Sequence, residues 1–184
     1  NKLCKKTIVS IFVNPKQFNR KKDLKSYPQN IKEDLKILKK SKKVDFVYIP
    51  KFKDIYKDKK ESKITLQKKD KILCAKFRKG HFEGVLDVMN KLTQIVKPKK
   101  IFMGEKDFQQ LYLVKKELEK KYKTKVISCK TIRDRNNVAL SSRNFLLKKS
   151  NLFIAAKIYE KLAGIKKYIK NKKNITSFLN LQKK

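Results

Sequence analysis

The chain alternates between short, continuous apolar runs and longer segments in which apolar residues recur every three or four positions. The continuous runs are typical of buried parallel strands, and they lie at 7–13, 44–49, 101–103 and 125–129. The periodic segments predict amphipathic helices, at 31–40, 82–97, 108–122 and 151–170. Because strands and helices alternate, the pattern predicts an α/β fold with a parallel sheet.

The pattern is less regular in two places. Residues 51–70 are basic and irregular, which predicts a flexible surface excursion with a possible short strand at 64–66, and 72–77 reads as extended. After Lys130 the alternation of predicted strands and helices ends, and a turn-rich stretch is followed by one long predicted helix. We therefore expect two domains, 1–131 and 132–184.

Composition narrows the class of protein. The chain has 184 residues, of which 40% are hydrophobic, and it contains no apolar run long enough to span a bilayer and no charged-then-apolar leader. Its three cysteines, Cys4, Cys74 and Cys129, are far apart and lack the paired spacing of a zinc site. We expect reduced thiols in a cytoplasmic protein that does not enter membranes.

The formal net charge of +36 first suggests nucleic-acid binding. Lysine, however, occupies the solvent-facing positions of every periodic segment, whereas arginine is confined to positions 20, 78, 133, 135 and 143. A nucleic-acid surface usually concentrates charge on one face and favours arginine with interleaved aromatic residues. We therefore do not expect specific nucleic-acid binding, although a basic nucleic-acid-binding module stays an alternative.

The candidate binding and catalytic residues follow the ends of the predicted strands. Lys106 and Asp107 follow the strand that closes at Gly104, and Asn14 and Gln17 follow the first strand. In a parallel sheet, the carboxyl ends of the strands open onto the ligand crevice, and a following helix starts with free N–H groups that attract anions. A simple chain reversal is the alternative for the Gly104 turn, and turn formation is the alternative for Asn14.

Four motifs occur in order along the chain: Phe-Val-Asn-Pro-Lys-Gln-Phe, Gly-His-Phe-Glu-Gly-Val, Gly-Glu-Lys-Asp-Phe-Gln-Gln-Leu and Ala-Leu-Ser-Ser-Arg-Asn. Together they resemble the pantothenate synthetase family, the pantoate:β-alanine ligases of the adenylyl-transferring Rossmann superfamily. The resemblance covers most of the chain and is weakest at 51–70 and after Asn151. Another nucleotidylyltransferase of the same superfamily is the enzymatic alternative.

The resemblance implies a Rossmann-like nucleotidylyltransferase fold, with a nucleotide- and pantoate-binding domain at 1–131 and part of a smaller C-terminal lid domain at 132–184. It also implies an ATP- and Mg²⁺-dependent reaction in two steps. ATP first adenylates the carboxylate of pantoate and releases pyrophosphate, and the amine of β-alanine then displaces AMP. The family is generally dimeric, so the resemblance also implies a homodimer.

The resemblance also implies site residues, each at a position of this sequence that matches a family motif. Gln17 would bind pantoate and β-alanine, with Asn14 beside it, and Gln110 would bind pantoate. The implied ATP site comprises Gly104, Glu105, Lys106, Asp107, Ile132, Leu140, Ser141, Ser142 and Arg143. Of these, Lys106, Ser142 and Arg143 would act on the phosphates during transfer.

Two acidic residues, Glu33 and Asp34, match family positions whose acidic side chains are expected near Mg²⁺. They would contact the ion through water molecules. They also lie in the first turns of a predicted helix, where carboxylates favour the helix dipole. Stabilising the helix is therefore an equal alternative to metal binding for both residues. In the same way, capping a helix is an equal alternative to ligand binding for Ser141, and forming a turn is one for Asn14.

The chain departs from the family in one important segment. The family opens with a strand and turn, Met-Gly-Ala-Leu-His-x-Gly-His, whose histidines meet ATP, and the sequence contains no such segment. The single histidine, His81, belongs to the Gly-His-Phe motif, where a helix-start hydrogen bond and a substrate contact are both open. A fragment and a decayed gene product both fit, and the intact motifs favour a fragment. We expect the parallel sheet to lack its first strand and this chain alone to bind ATP poorly and to turn over little or not at all.

Overall fold

A computed structural model describes residues 3–56 and 64–171. The chain divides into two compact units, Asn1–Lys130 and Thr131–Lys184. Among the described residues, no helix combines the length and the apolar character that crossing a membrane would require.

In the described residues of the first unit, four strands form two parallel pairs. Strand β1 (Ile8–Ser10) pairs with β2 (Phe46–Tyr48), with Ile8 opposite Phe46. Strand β3 (Lys100–Gly104) pairs with β4 (Lys125–Cys129), with Lys100 opposite Lys125. The parallel α/β class is confirmed, and β4 has the predicted bounds.

Strands β1 and β2 are shorter and more exposed than predicted. The run at 7–13 predicted a long buried strand, but β1 has three residues and Ile8 is 41% exposed. In the described part of the chain, β1 pairs only with β2 and β3 only with β4. A parallel strand is buried when it has neighbours on both edges, so the missing second neighbour explains the difference.

The helices have the bounds that their apolar periodicity indicated, to within two residues for the long ones. Seven α-helices are described, and they are α1 (Lys21–Lys25), α2 (Ile31–Ser41), α3 (Phe52–Ile55), α4 (Cys74–Phe77), α5 (His81–Val96), α6 (Phe108–Lys121) and α7 (Lys149–Asn171). Four 3-10 turns are also described, and they are η1 (Pro15–Gln17), η2 (Lys68–Asp70), η3 (Glu105–Asp107) and η4 (Ser142–Leu146).

The main core lies between α5, α6 and the β3–β4 pair. Val114 and Leu118 of α6 are fully buried, and Val126 of β4 packs in the same cluster. Leu86 of α5 completes the contact between the two helices and the strands. This packing fixes the ends of β3 and α5, where the candidate residues lie.

The segment before α5 differs from the prediction. Leu66 is buried in the core and no strand forms at 64–66, while residues 57–63 lie outside the described residues. Asp70 is also buried and its carboxylate lies 2.6 Å from Lys116 Nζ of α6. The expected surface excursion is therefore wrong at Leu66, which packs in the main core, and at Asp70, which an ion pair attaches to α6, whereas 65 and 67–69 are exposed. It is also wrong at Phe52–Ile55, which forms α3 with Ile55 buried. The prediction that 72–77 is extended is wrong at Cys74–Phe77, which forms α4.

The second unit begins with a turn stabilised by Asp134. Its Oδ1 accepts hydrogen bonds from the backbone N–H groups of Asn136 (2.8 Å) and Val138 (2.9 Å). The Arg133 guanidinium stacks over the Tyr159 ring of α7 at 4.1 Å from the ring centroid. This contact fastens the turn to the long helix.

Candidate functional site

The loop after β1 is organised by Asn14, which is 1% exposed. Its Oδ1 accepts hydrogen bonds from Lys16 N (3.2 Å) and from the Tyr56 hydroxyl (3.0 Å), and its Nδ2 donates to Gly84 O (2.9 Å). Asn14 thus joins the loop, α3 and α5 through one amide. This supports the turn role, and its predicted substrate role stays a prediction.

Gly84 lets this loop approach the backbone of α5. A Cβ at position 84 would lie 2.6 Å from Lys16 O and 3.0 Å from Gln17 N. Both are backbone atoms, which cannot turn away as a flexible side chain would. The second glycine of Gly-His-Phe-Glu-Gly-Val is therefore required by the packing of η1 on α5.

Gln17 is held in place by the start of α5. His81 Nδ1 lies 2.7 Å from Gln17 O. A carbonyl oxygen can only accept, so Nδ1 carries the hydrogen and donates it, which leaves Nε2 as an acceptor in the neutral ring. This hydrogen bond is made by the first residue of α5 and orients the backbone beneath the Gln17 side chain, and a substrate contact of His81 stays a prediction.

The turn after β3 reaches the same region. Burial lowers the pKa of His81, which is 7% exposed, while the nearby carboxylate of Asp107 opposes this by raising the pKa. The two groups therefore lie within electrostatic range. η1 therefore contacts the start of α5, and η3, where Lys106 directly precedes Asp107, lies within electrostatic range of His81.

The remaining first-unit candidates lie on the same turn or one helical turn later. Gly104, Glu105 and Lys106 are exposed, and Gln110 is half-buried in the first turn of α6. Its neighbour Gln109 donates through Nε2 to Ile72 O at 2.8 Å. That bond attaches the start of α6 to the segment before α4, which positions the first turn of α6.

Sequence analysis missed a charged cluster behind the η1 loop. Lys16 Nζ lies 3.7 Å from Asp87 Oδ2 and 4.3 Å from the Tyr56 ring centroid. Burial and the Asp87 charge raise the pKa of Tyr56 far above its usual value, so its hydroxyl stays protonated and donates to Asn14. No sequence pattern could have found this cluster, because its members come from η1, α3 and α5.

The predicted magnesium residues have helix roles in the structure. Glu33 N–H donates to Asn30 Oδ1 at 3.2 Å at the start of α2, and the Glu33 carboxylate lies 3.9 Å from Lys36 Nζ. Within residues 3–56 and 64–171, no group of three His, Cys, Asp or Glu side chains could hold a metal ion. The arrangement does not fit a protein-held Mg²⁺ ion, and the predicted water-mediated role of Glu33 and Asp34 stays a prediction.

The second-unit candidates lie on one loop. Ile132 O accepts a hydrogen bond from Leu140 N at 3.0 Å, which closes the turn. Ser141 Oγ accepts from Arg143 N at 3.3 Å and caps η4. Ser142 and Arg143 are exposed. The cap role of Ser141 is thus present, and the ATP roles of these residues stay predictions.

Comparison with known proteins decides the family. The family model described as pantoate-beta-alanine ligase matches residues 1–184. The chain belongs to this family. The predicted resemblance is therefore confirmed.

Curated relatives in this family are named pantothenate synthetase. One from Flavobacterium psychrophilum is 43% identical over 168 residues, which cover 88% of this chain and 58% of the relative. One from Francisella philomiragia is 46% identical over 156 residues, which cover 84% of this chain and 59% of the relative. The chain therefore spans about three fifths of the length of the relatives that it matches.

Solved structures of the family have the same fold. The pantoate-beta-alanine ligase of Francisella tularensis, complexed with beta-gamma ATP and beta-alanine, matches with a TM-score of 0.80 and 42% identity over 86% of this chain and 61% of that chain. The pantothenate synthetase of Thermus thermophilus matches with a TM-score of 0.83 and 28% identity over 89% of this chain and 59% of that chain. These matches confirm the nucleotidylyltransferase-like fold.

Proposed function

We propose that this chain supplies the pantoate- and ATP-contacting part of an ATP-dependent ligase that joins pantoate to β-alanine. The observation that carries the proposal is that His81 joins residues from three of the family motifs, through a hydrogen bond to Gln17 and an electrostatic interaction with Asp107. The match of the family model across the whole chain supports it. ATP and β-alanine are also the ligands named for the Francisella tularensis structure.

The reaction has two steps. A carboxylate oxygen of pantoate attacks the α-phosphorus of ATP, the bond from that phosphorus to the bridging oxygen breaks, and pyrophosphate leaves. The amine of β-alanine then attacks the acyl carbon of the pantoyl adenylate, AMP leaves with its oxygen, and the amine loses a proton. Attack at phosphorus needs positioning and charge stabilisation more than covalent help.

The amides of Gln17 and Gln110 are suited to orient pantoate. A neutral amide both donates and accepts, so it can hold a carboxylate and a hydroxyl without adding charge. The backbone of Gln17 is fixed by His81, and Gln110 lies on the first turn of α6. Pre-positioning of this kind lowers the entropy cost of bringing the reacting atoms together.

Lys106 is suited to the phosphates of ATP. Its ammonium group is exposed on η3, directly after β3, where helix N–H groups also favour anions. The assignment of Ser142 and Arg143 to the transferring phosphates rests on the Ala-Leu-Ser-Ser-Arg-Asn motif. A guanidinium fork can hold two phosphate oxygens at once, which a lysine cannot.

Mg²⁺ would bind to the ATP phosphates rather than to a site formed by protein ligands alone. Mg²⁺ keeps several waters and binds through few carboxylates plus substrate phosphates. The exposed carboxylates of Glu33 and Asp34 would then act through those waters. No step of the proposal depends on them.

The isolated chain is expected to have little or no activity, because it lacks the family's His-x-Gly-His segment. The homodimer that the family implies also stays a prediction, which the mass of the protein in solution would check.

A binding titration tests the proposed roles. We expect pantoate and ATP to bind the isolated chain weakly and to shift the amide NMR signals of η1, η3 and the start of α6. Gln17→Ala should weaken pantoate binding and Lys106→Ala should weaken ATP binding, each about tenfold, as the loss of one hydrogen bond to a charged group predicts. Gln94→Ala and Lys115→Ala, at exposed positions of α5 and α6, are the matched controls. Shifts confined to other surfaces, or equal losses in the controls, would contradict the proposal.

A further inference from the structure

Arginine is concentrated in one short segment of the chain. Three of its five arginines, Arg133, Arg135 and Arg143, lie between positions 133 and 143, while lysine fills most other basic positions. The proposed function assigns a role to Arg143 and none to the other two. Arg135 is exposed and Arg133 is half-buried. In a chain that otherwise uses lysine, a half-buried arginine points to a contact that needs the planar guanidinium group.

Arg133 makes two contacts with different parts of its guanidinium group. Nη1 donates a hydrogen bond to Asn137 O at 3.0 Å, across the turn. The central carbon lies over the Tyr159 ring, 4.1 Å from its centroid. A guanidinium can donate in its plane while its face covers an aromatic ring, whereas an ammonium group carries its donors and its charge on one atom. Lysine at this position would therefore not make both contacts equally well.

The residues on either side of this turn are paired. Arg133 and Ala139 form an antiparallel bridge, and Ile132 O accepts from Leu140 N at 3.0 Å. Because Arg133 also contacts Tyr159 of α7, these bonds hold residues 138–140 beside that helix.

The paired segment leads directly into residues assigned to ATP. Ala139 O accepts from Asn144 Nδ2 at 3.0 Å, and Ser141 O accepts from Asn144 N at 3.0 Å. These two bonds enclose Ser142 and Arg143, which are exposed. The backbone conformation of Ser142 and Arg143 therefore depends on where Ala139 is held.

We propose that Arg133 is a positioning residue for the reaction, and that its contact with Tyr159 holds Ser142 and Arg143 in the conformation that binds the phosphates of ATP. Exposed side chains lose conformational freedom when they bind a ligand, and prior ordering of their backbone lowers this cost. The use of Ser142 and Arg143 for ATP rests on the proposed function. Their order in the ligand-free chain does not.

Amide exchange in the ligand-free 184-residue chain tests the ordering. Arg133→Lys keeps the charge and loses the planar group, and Tyr159→Leu removes the ring. Each should speed exchange of the Asn144 amide about threefold, as the loss of a cation–π contact at a partly exposed site predicts. Tyr159→Phe keeps the ring and should leave the rate unchanged. Arg135→Lys, at an exposed position of the same turn, is the matched control and should also leave it unchanged.

Ligand affinity separates positioning from a general effect on the fold. The probes are ATP and pantoate, each titrated into the same variants and followed by NMR. Arg133→Lys and Tyr159→Leu should weaken ATP binding about threefold. Both should leave pantoate binding unchanged, because the pantoate candidates Gln17 and Gln110 lie in the first unit. A change that merely destabilised the chain would weaken the binding of both ligands.

The inference is overturned if Arg133→Lys and Arg135→Lys have equal effects, if Tyr159→Phe behaves as Tyr159→Leu does, or if exchange becomes faster while ATP affinity stays constant. The absence of ATP-dependent shifts at Ser142 and Arg143 in the unaltered chain would contradict the proposed function instead. The exchange rates of the ligand-free variants would then still decide whether Arg133 orders these two residues.

Discussion

At the scale of single residues, Gly84 is the position where the packing of η1 is most sensitive. Gly84→Ala would place a Cβ 2.6 Å from Lys16 O, so the loop or the helix must shift. We expect a loss of about 1–3 kcal/mol in the free energy of unfolding, as for other overpacked sites, measured by urea denaturation.

Gly164→Ala is the matched control. Gly164 lies within α7 and a Cβ there would meet nothing within 4 Å. Alanine is the better helix former, so this variant should gain about 0.5–1 kcal/mol. Equal stability of Gly84→Ala and the wild-type chain would contradict the described packing.

His81 gives a second residue-scale prediction, because it is the only histidine in the chain. Its ring signal in a proton NMR titration is therefore unambiguous. Burial lowers its pKa below the ordinary value of 6.5. In the unfolded chain the ring binds its proton near that ordinary value, so the stability contributed by the neutral, buried ring should be lost as the pH falls from 6.5 toward the lowered pKa.

Asp107→Asn is the informative partner of this titration. The Asp107 carboxylate raises the pKa of His81, so its removal should lower the pKa further. A titration of His81 at or above its ordinary pKa would show that the ring is not buried against Gln17. If the pKa of His81 is unchanged in Asp107→Asn, the Asp107 carboxylate does not act on the ring, which would contradict the position of η3 near the start of α5.

Sequence reasoning could identify residues that follow the carboxyl ends of strands. It could not identify residues that meet only through the packing of distant elements. Gln17 and Lys106 could be proposed because each follows an apolar run, and the carboxyl ends of parallel strands open onto the ligand crevice. Tyr56 and Asp87 could not, because neither lies in a recognisable motif position and their contact depends on how α3 packs beside α5.

At the scale of elements, η1 is fastened to α5 by three side chains, those of Asn14, Lys16 and His81. Asn14→Ala would leave Gly84 O and the Tyr56 hydroxyl without this partner in a buried place. We expect a loss of about 1–3 kcal/mol in the free energy of unfolding, measured by urea denaturation. Asn136→Ala, at an exposed turn position of the second unit, should change stability little. Equal effects of the two changes would contradict a structural role for Asn14.

Helices could be predicted more fully than strands, and the reason is physical. The apolar period of α5 and α6 is set within the helix itself, so the sequence carries it directly. The length of β1 depends on whether another strand lies on its outer edge, which no local pattern encodes. Leu66 was misjudged for a similar reason, since an apolar residue in a basic, irregular segment is buried only through packing in the core, which the local sequence does not show.

At the scale of the whole molecule, charge repulsion should limit stability. The chain carries 52 basic and 16 acidic residues, and a large net charge destabilises the compact state through self-repulsion. Salt screens charges more than about 10 Å apart at about 0.1 M. We therefore expect the Tm to rise by several degrees between about 0.02 M and about 0.5 M NaCl, measured by circular dichroism.

Chloride is the suitable salt for this experiment, because sulfate also stabilises proteins by exclusion from their surface. A Tm that stays constant or falls with added NaCl would mean that the described ion pairs, such as Lys116–Asp70, outweigh the general repulsion.

The central proposal is that this chain supplies residues that bind pantoate and ATP in a ligase, but not every residue that the reaction needs. AMP release with ATP, pantoate and β-alanine tests it most directly, measured on the isolated chain and on a chimera completed with the uncovered part of the Francisella philomiragia enzyme. We predict little or no AMP from the isolated chain, and pantoate-dependent AMP from the chimera that Lys106→Ala greatly reduces. Near-normal turnover by the isolated chain, or AMP release from the chimera without pantoate, would contradict the account.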